Sequence, residues 1–252
     1  MSVALADLCG YLDEYLRLTE VPDYPGAHNG LQVANPGTVR KIAAAVDASQ
    51  RTLEAAVAEG ADLLLVHHGL FWDGKLPVTG RRYRRLSLAL ENDLAVFSAH
   101  LPLDVHPEVG NNVALARALG AELRGIFGSY RGQPIGRWGK LEVRREALAS
   151  RLDELLGGRV RMIAGGPERL RRIGVVTGSG ADLVGDAREA GLDALVTGEG
   201  AHHTFFDAME GGVNLYLGGH YATETFGVRA LASHLEARFG LPWTFLDQPT
   251  GL

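Results

Sequence analysis

Cysteine is almost absent from this 252-residue chain, with Cys9 the only one. A single cysteine excludes an intramolecular disulfide and a thiolate metal cage, so any metal site has to be built from imidazole and carboxylate. Long apolar runs are also missing. None approaches the ~20 residues of a membrane span, and the opening Met-Ser-Val-Ala-Leu-Ala-Asp lacks the basic start and apolar core of a signal peptide. A cytoplasmic protein without a membrane partner is expected. Positive charge is in deficit, with 25 Lys+Arg against 30 Asp+Glu and a net charge of −5. That argues against a chain whose whole surface binds nucleic acid, although a local basic groove is compatible with it. What remains is 46% hydrophobic and 22% charged, the balance of an ordinary globular protein. The length suits one large domain or two of about 100–130 residues.

Against that background, histidine and acid gather in three short patches. These are Leu63-Leu-Leu-Val-His67-His68-Gly69, His100-Leu-Pro-Leu-Asp104 and Gly218-Gly-His220-Tyr-Ala-Thr-Glu224. Each lies where an apolar, strand-like run stops, and each offers groups that bind divalent metals. Side chains alternate faces along a strand, so His67 and His68 serve one cavity only where the strand ends. The alternative for that pair is one ligand and one structural histidine. His220 and Glu224 share a face if a helix begins there, with Thr223 and Thr225 in position to cap or orient the acid. Pro102 favours loop or first-turn geometry at His100–Asp104, where Asp104 is the better ligand candidate.

The chain also repeats itself. At an offset of 131, Lys41–Ser49 aligns with Arg172–Gly180, Gly60 with Gly191, Asp62 with Asp193 and Gly69 with Gly200. Both segments read as strand, helix and strand: Ile42–Val46, about 51–59 and Leu63–Val66, then Ile173–Thr177, about 181–190 and Ala194–Val196. At an offset of 120, Val96–His100 aligns with Tyr216–His220, Asp104 with Glu224, Leu115 with Leu235 and Gly120 with Gly240. Chance likeness between two α/β units is the competing explanation, and the paired His-x-x-x-acid steps favour duplication. The expected fold is α/β: two similar domains from an internal duplication, 1–127 and 128–252, with a dinuclear metal site between them. Gly125–Gly139 reads as loop and crossover. Leu141–Val143, a helix near 146–156 and Val160–Ile163 form a further strand-helix-strand stretch.

The repeat aligns His68 with Glu199, which makes Glu199 a candidate partner of a metal ligand or a general base. His100 is a candidate of the same kind. His202, His203 and Arg137 are candidates for substrate contact, a solvent-facing helix start being an equal alternative for the two histidines. Gly178-Ser-Gly180 could cradle a phosphate, but a tight strand-to-helix turn is favoured. Arg81-Arg-Tyr-Arg-Arg85 reads first as a solvated helix face, and second as a contact for an anionic substrate or nucleic acid.

The order His-His-Gly-Leu-Phe, Ser-Ala-His-x-x-Leu-Asp and Gly-His-x-Ala-Thr-Glu resembles the dinuclear-metal-centre hexamer family. Its members are often labelled GTP cyclohydrolase 1 type 2 homologues or relatives of a transcription-coactivator-interacting factor. The likeness runs from the N-terminal helix through Asn29-Gly-Leu-Gln32, Ala45-Val-Asp47 and Gly178-Ser-Gly180 to Gly198-Glu199. It implies two divalent ions (Zn, Mn, Fe, Co or Ni) per subunit, held by His67, His68, Asp104, His220 and Glu224. It further implies a homohexameric ring of dimers. There are departures: Tyr24-Pro-Gly-Ala-His28-Asn29 replaces the usual acidic-Trp-Asp-Asn stretch, and His68-Gly69 stands where His-Pro is common. The function expected is a two-metal hydrolase of GTP cyclohydrolase, phosphoesterase or nuclease type, acting on a nucleotide or phosphoester through a metal-activated water. The alternative is a non-catalytic metal-binding scaffold or regulator that contacts a protein or nucleic acid.

Overall fold

The computed structural model describes residues 1–251. From the N-terminus run β1 (Val3–Ala4), α1 (Leu5–Tyr15), β2 (Gly30–Val33), β3 (Thr38–Val39), β4 (Ile42–Asp47), α2 (Gln50–Ala58), β5 (Leu63–His68), α3 (Gly80–Glu91), β6 (Ala95–Ser98) and the single turn α4 (Leu101–Asp104). The chain continues through α5 (Asn111–Ala118), β7 (Glu122–Tyr130), β8 (Gln133–Arg144), α6 (Arg145–Leu156), β9 (Arg161–Ala164) and β10 (Arg169–Val175). A 3-10 turn at Ala181–Leu183 leads into α7 (Val184–Glu189), β11 (Ala194–Thr197), α8 (Thr204–Gly211), β12 (Asn214–Leu217) and the short α9 (His220–Thr223). α10 (Thr225–Phe239) and β13 (Trp243–Phe245) complete the order.

Packing gathers these elements into two units. The first holds Met1–Val109 and Gly227–Gln248; the second holds Gly110–Phe226 and, among the described residues, Pro249 to Gly251. The divisions thus fall at 109/110 and 226/227 rather than once near residue 127. Two helices account for the difference. Leu115, Ala116 and Leu119, on and just after α5, are buried in the second unit's core, whereas Val228, Leu231, Ala232 and Leu235 of α10 are buried in the first unit's core. These helices are the ones the offset of 120 aligns, so each duplicated helix packs in the unit to which its own repeat contributes least.

The first unit's sheet has the order β13-β4-β5-β6-β2, with β2 antiparallel to an otherwise parallel set. Side chains alternate across it. Ile42, Ala44, Leu63, Leu65 and Phe97 join one core with α1 and α10, while Ala43, Ala45, Leu64, Val66 and Val96 join another with Leu53 and Ala56 of α2 and Ala89 of α3. Burial on both faces explains the unbroken apolar run in β5. Each fully buried leucine there contributes roughly 1.5–3 kcal/mol.

The second unit's sheet, β7-β8-β10-β11-β12-β9, has a parallel β10-β11-β12 centre flanked by antiparallel strands. α5 and α6 cover one face, and α7 and α8 the other. Here one expectation fails, because Gly125–Gly139 is the long β7–β8 hairpin and not a loop and crossover. Its turn, Arg131-Gly132, has φ of +49° and +81°, the left-handed pair that a two-residue hairpin requires. Its strand glycines make room for aromatics: a Cβ on Gly125 would lie 2.7 Å from Trp138 Nε1, and one on Gly136 2.5 Å from Phe127 Cε1. No helix among the described residues is long and apolar enough to cross a membrane.

Candidate metal centre

In the first unit, neighbouring parallel strands end together, and their carboxyl ends are where open α/β sheets carry ligand sites. β5 keeps both histidines inside the strand. His67 is completely buried, and its Nδ1 lies 2.9 Å from the Ala99 carbonyl. A carbonyl can only accept, so Nδ1 carries a hydrogen, and Nε2 lies 3.5 Å from Asp104 Oδ2. His68 Nδ1 lies 2.9 Å from Asp47 Oδ1, the residue directly across from it in the β4–β5 register. Two residues beyond β6, His100 Nδ1 lies 2.7 Å from Asp23 Oδ1. One ring nitrogen from each of His67, His68 and His100 falls within 4.8 Å of the others. Asp104 reaches the set because α4 starts at once after His100, with Pro102 in its first turn.

Asp23 is held by more than His100. Its side chain is 7% exposed, and it accepts from Asn29 Nδ2 at 2.8 Å and from the Leu101 amide at 3.0 Å. Burial pushes the Asp23 carboxyl up, but the hydrogen bond and charge of His100, with Asn29 and the Tyr24 amide, outweigh it and hold the group below the usual carboxylate range. Asn29 Oδ1 in turn accepts from the His100 amide at 2.7 Å. Asp23, just before the loop that departs from the family pattern, and Asn29, at its end, thus fix His100. His28 is exposed and packs edge-on against Phe71, with ring centroids 5.9 Å apart. Trp72 stands edge-on to His100 and His68, at centroid distances of 4.8 and 5.7 Å.

In the second unit, β12 gives way to Gly218-Gly219, and α9 begins at His220. One helical turn brings His220 Nε2 to 3.1 Å from Glu224 Oε1, while Nδ1 lies 2.9 Å from Glu199 Oε1. The acid sits close because Gly178 makes room for it. Gly178 has φ +66°, and a Cβ there would overlap Glu224 Oε1 and come within 3.2 Å of His220 Nε2. Thr223 does not cap the acid; its hydroxyl accepts from the Gly178 amide at 3.0 Å and fixes that turn.

Both nitrogens of His220 face carboxylates, and its pKa rises to about 9. The hydrogen bond to Glu224 is the largest cause, burial opposes it, and Glu199 adds to the rise. The proton on Nε2 stands where a divalent cation would satisfy both groups. For the metal-free chain this has a consequence for stability. A raised folded-state pKa contributes stability that is fully present below about pH 6.5 and is lost as pH climbs through about 9. Urea midpoints of the metal-free chain should therefore fall over that window, and less so in Glu224→Gln.

The other sequence candidates lie elsewhere. His203 Nε2 is 3.2 Å from Asp182 Oδ1 on the surface, and His202 packs edge-on against Phe206 at 5.5 Å. Arg137 is in mid-β8 opposite Val175, with burial lowering its pKa. Sequence reasoning missed Asp47 and Asp23 as imidazole partners. Asp47 had a signal, because it ends a strand parallel to the one that ends in His68.

The donors fit a divalent cation. His67, His68, His100 and His220 each have Nδ1 against an oxygen, the arrangement that orients metal-ligating histidines and raises their basicity. Comparison with known proteins agrees with the motifs. The model of the Duf34/NIF3 (NGG1p interacting factor 3) family matches residues 3–250. The chain belongs to the DUF34/NIF3 family. A curated DUF34/NIF3 relative from Deinococcus radiodurans, named a GTP cyclohydrolase 1 type 2 homolog, is 48% identical over 248 residues, 98% of this chain and 94% of its own length. One of the same name from Archaeoglobus fulgidus is 40% identical, covering 98% and 99%. A crystal structure from Thermus thermophilus superposes with a TM-score of 0.90 at 43% identity, covering 99% of this chain and 100% of that one.

Proposed function

We propose that this DUF34/NIF3 protein holds a dinuclear divalent-metal centre through His67, His68, Asp104, His220 and Glu224, and hydrolyses a nucleotide or phosphoester. The observation that carries this reading is the common arrangement of the imidazoles. Ala99 O, Asp47 and Glu199 occupy the Nδ1 side of His67, His68 and His220, which supports Nε2 as the ligand atom of each. Five mixed imidazole and carboxylate donors exceed what one tetrahedral structural ion takes. They suit Zn, Mn, Fe, Co or Ni. Bound divalent ions would supply Lewis acidity toward the electrophile and acidify coordinated water.

The chain's own residues have separable tasks. Asp47 and Glu199 fix ring orientation at His68 and His220. Asp104 and Glu224 add negative charge that a cation neutralises. His100, set by Asp23 with Nδ1 as donor, presents Nε2 to take or return a proton. The same reading includes a ring-shaped homohexamer.

The test is turnover of GTP, other nucleotides and phosphodiesters by the metal-loaded protein. Activity should require the divalent ion and fall by about 100-fold or more in His68→Ala. Turnover of no substrate in that panel, with metal bound, would overturn the hydrolase and favour a metal-binding scaffold. Full activity in His68→Ala would overturn the assigned ligands.

A further inference from the structure

We propose that the cavity beside His68 is a phosphate subsite built by Arg81 and Arg85, which holds the anionic group of a phosphorylated small-molecule substrate. The inference rests on the hydrolase reading and narrows its substrate class. The cavity, about 220 Å³, lies wholly in the first unit. His68 and Trp72 line one part of it and Arg81 and Arg85 another, with Asp47 and Asp73 also in the wall. A group bound to the arginines therefore shares a chamber with a proposed metal ligand.

Two arginines and two aspartates line the cavity, but Arg85 is in no ion pair among the described residues. Arg81 and Arg85 are four apart on α3 and share a face. Asp47 is engaged by His68, and Asp73 by Arg81. Both partners of the Arg81–Asp73 pair reach solvent, and such pairs contribute little and exchange readily. Arg82 turns away, donating to the carbonyls of Leu76 and Gly74 at 2.7 and 2.6 Å. Arg85 is half-buried. Its Nη1 makes a 3.3 Å bond to the Ala48 carbonyl, and its Nε is buried without a hydrogen-bond partner among the described residues. Burial, then the neighbouring Arg81 charge, pulls the Arg85 pKa down against the opposing pull of Asp73. A phosphate supplies the anionic partner that Arg85 lacks, and its oxygens match the planar guanidinium fork. Trp72 beside the histidines offers an aromatic surface to an attached ring.

The test is equilibrium dialysis of radiolabelled inorganic phosphate against the full-length, metal-bearing protein, with metal content measured in the same samples. Wild type should bind saturably. The double variant Arg81→Gln/Arg85→Gln should bind at least about tenfold more weakly, with metal content and thermal midpoint unchanged, and Arg85→Lys should recover part of the loss. Equal phosphate affinity in wild type and double variant would overturn the subsite, because the anion would then sit on metal alone. If the double variant misfolds, Arg81→Gln alone, at an exposed position, must still weaken binding, and its failure to do so would overturn the proposal. Arginine-dependent phosphate binding by a chain found to carry no metal would support the subsite while refuting the two-metal reading.

Discussion

Replacing Glu224 with glutamine should weaken divalent-metal binding by about 100-fold or more, beyond the 10–100-fold that loss of an outer hydrogen-bond partner brings. Glu224 is 3% exposed and lies 3.1 Å from His220 Nε2. A carboxylate so deeply buried is costly unless a cation accompanies it. In the metal-free chain that cation is the proton on His220, held to about pH 9. Glutamine keeps the size and removes the charge, so the His220 proton loses its main partner and the proposed metal would lose a ligand. Isothermal titration with Zn or Mn reads the first loss, and the His220 ring titration by NMR reads the second as a shift back toward 6.5. Glu224→Gln with wild-type affinity and an unchanged His220 titration would show that this acid is not a ligand.

Gly178→Ala should damage the same site from the backbone side. The left-handed φ of +66° strains any side chain, and the added Cβ meets the Glu224 carboxylate itself. Gly60→Ala separates the two effects, because Gly60 has φ +65° with nothing within 4 Å of the new Cβ. Gly60→Ala should cost about 1 kcal/mol of stability and leave metal binding alone. Gly178→Ala should cost about 1–3 kcal/mol and also weaken metal binding by about tenfold or more, since the acid must move. Stability from urea midpoints and affinity from titration distinguish the cases. Equal metal affinity in the two variants would show that Gly178 serves the turn alone.

The sequence carried the strands and the His-x-x-x-acid motifs because both are local. Buried parallel strands show as unbroken apolar runs at Ile42–Val46 and Leu63–Val66, and His-x-x-x-acid places its groups within one turn of chain. The repeat brought Glu199 into consideration, and the structure sets it 2.9 Å from His220 Nδ1. What stayed hidden depends on pairings far apart in sequence. Asp47 meets His68 through the β4–β5 register, and Asp23 meets His100 across 77 positions. α5 and α10 carry similar apolar faces, so periodicity cannot say which sheet each will cover. The β7–β8 hairpin was misread because its glycines are rich enough to suggest a loop, while their role is to admit Trp138 and Phe127 against the strands. Within the basic run Arg81–Arg85, Arg82 is buried rather than solvated, because its carbonyl partners lie in an irregular segment before α3 that periodicity does not show.

The most direct measurement is the metal content of the full-length protein by inductively coupled plasma mass spectrometry, after loading with one divalent ion and removal of excess. About two ions per chain are expected in wild type, with loss in both His68→Ala and Glu224→Gln while each variant remains folded by circular dichroism. Fewer than one ion per chain in wild type, or two ions retained by both variants, would contradict the dinuclear centre.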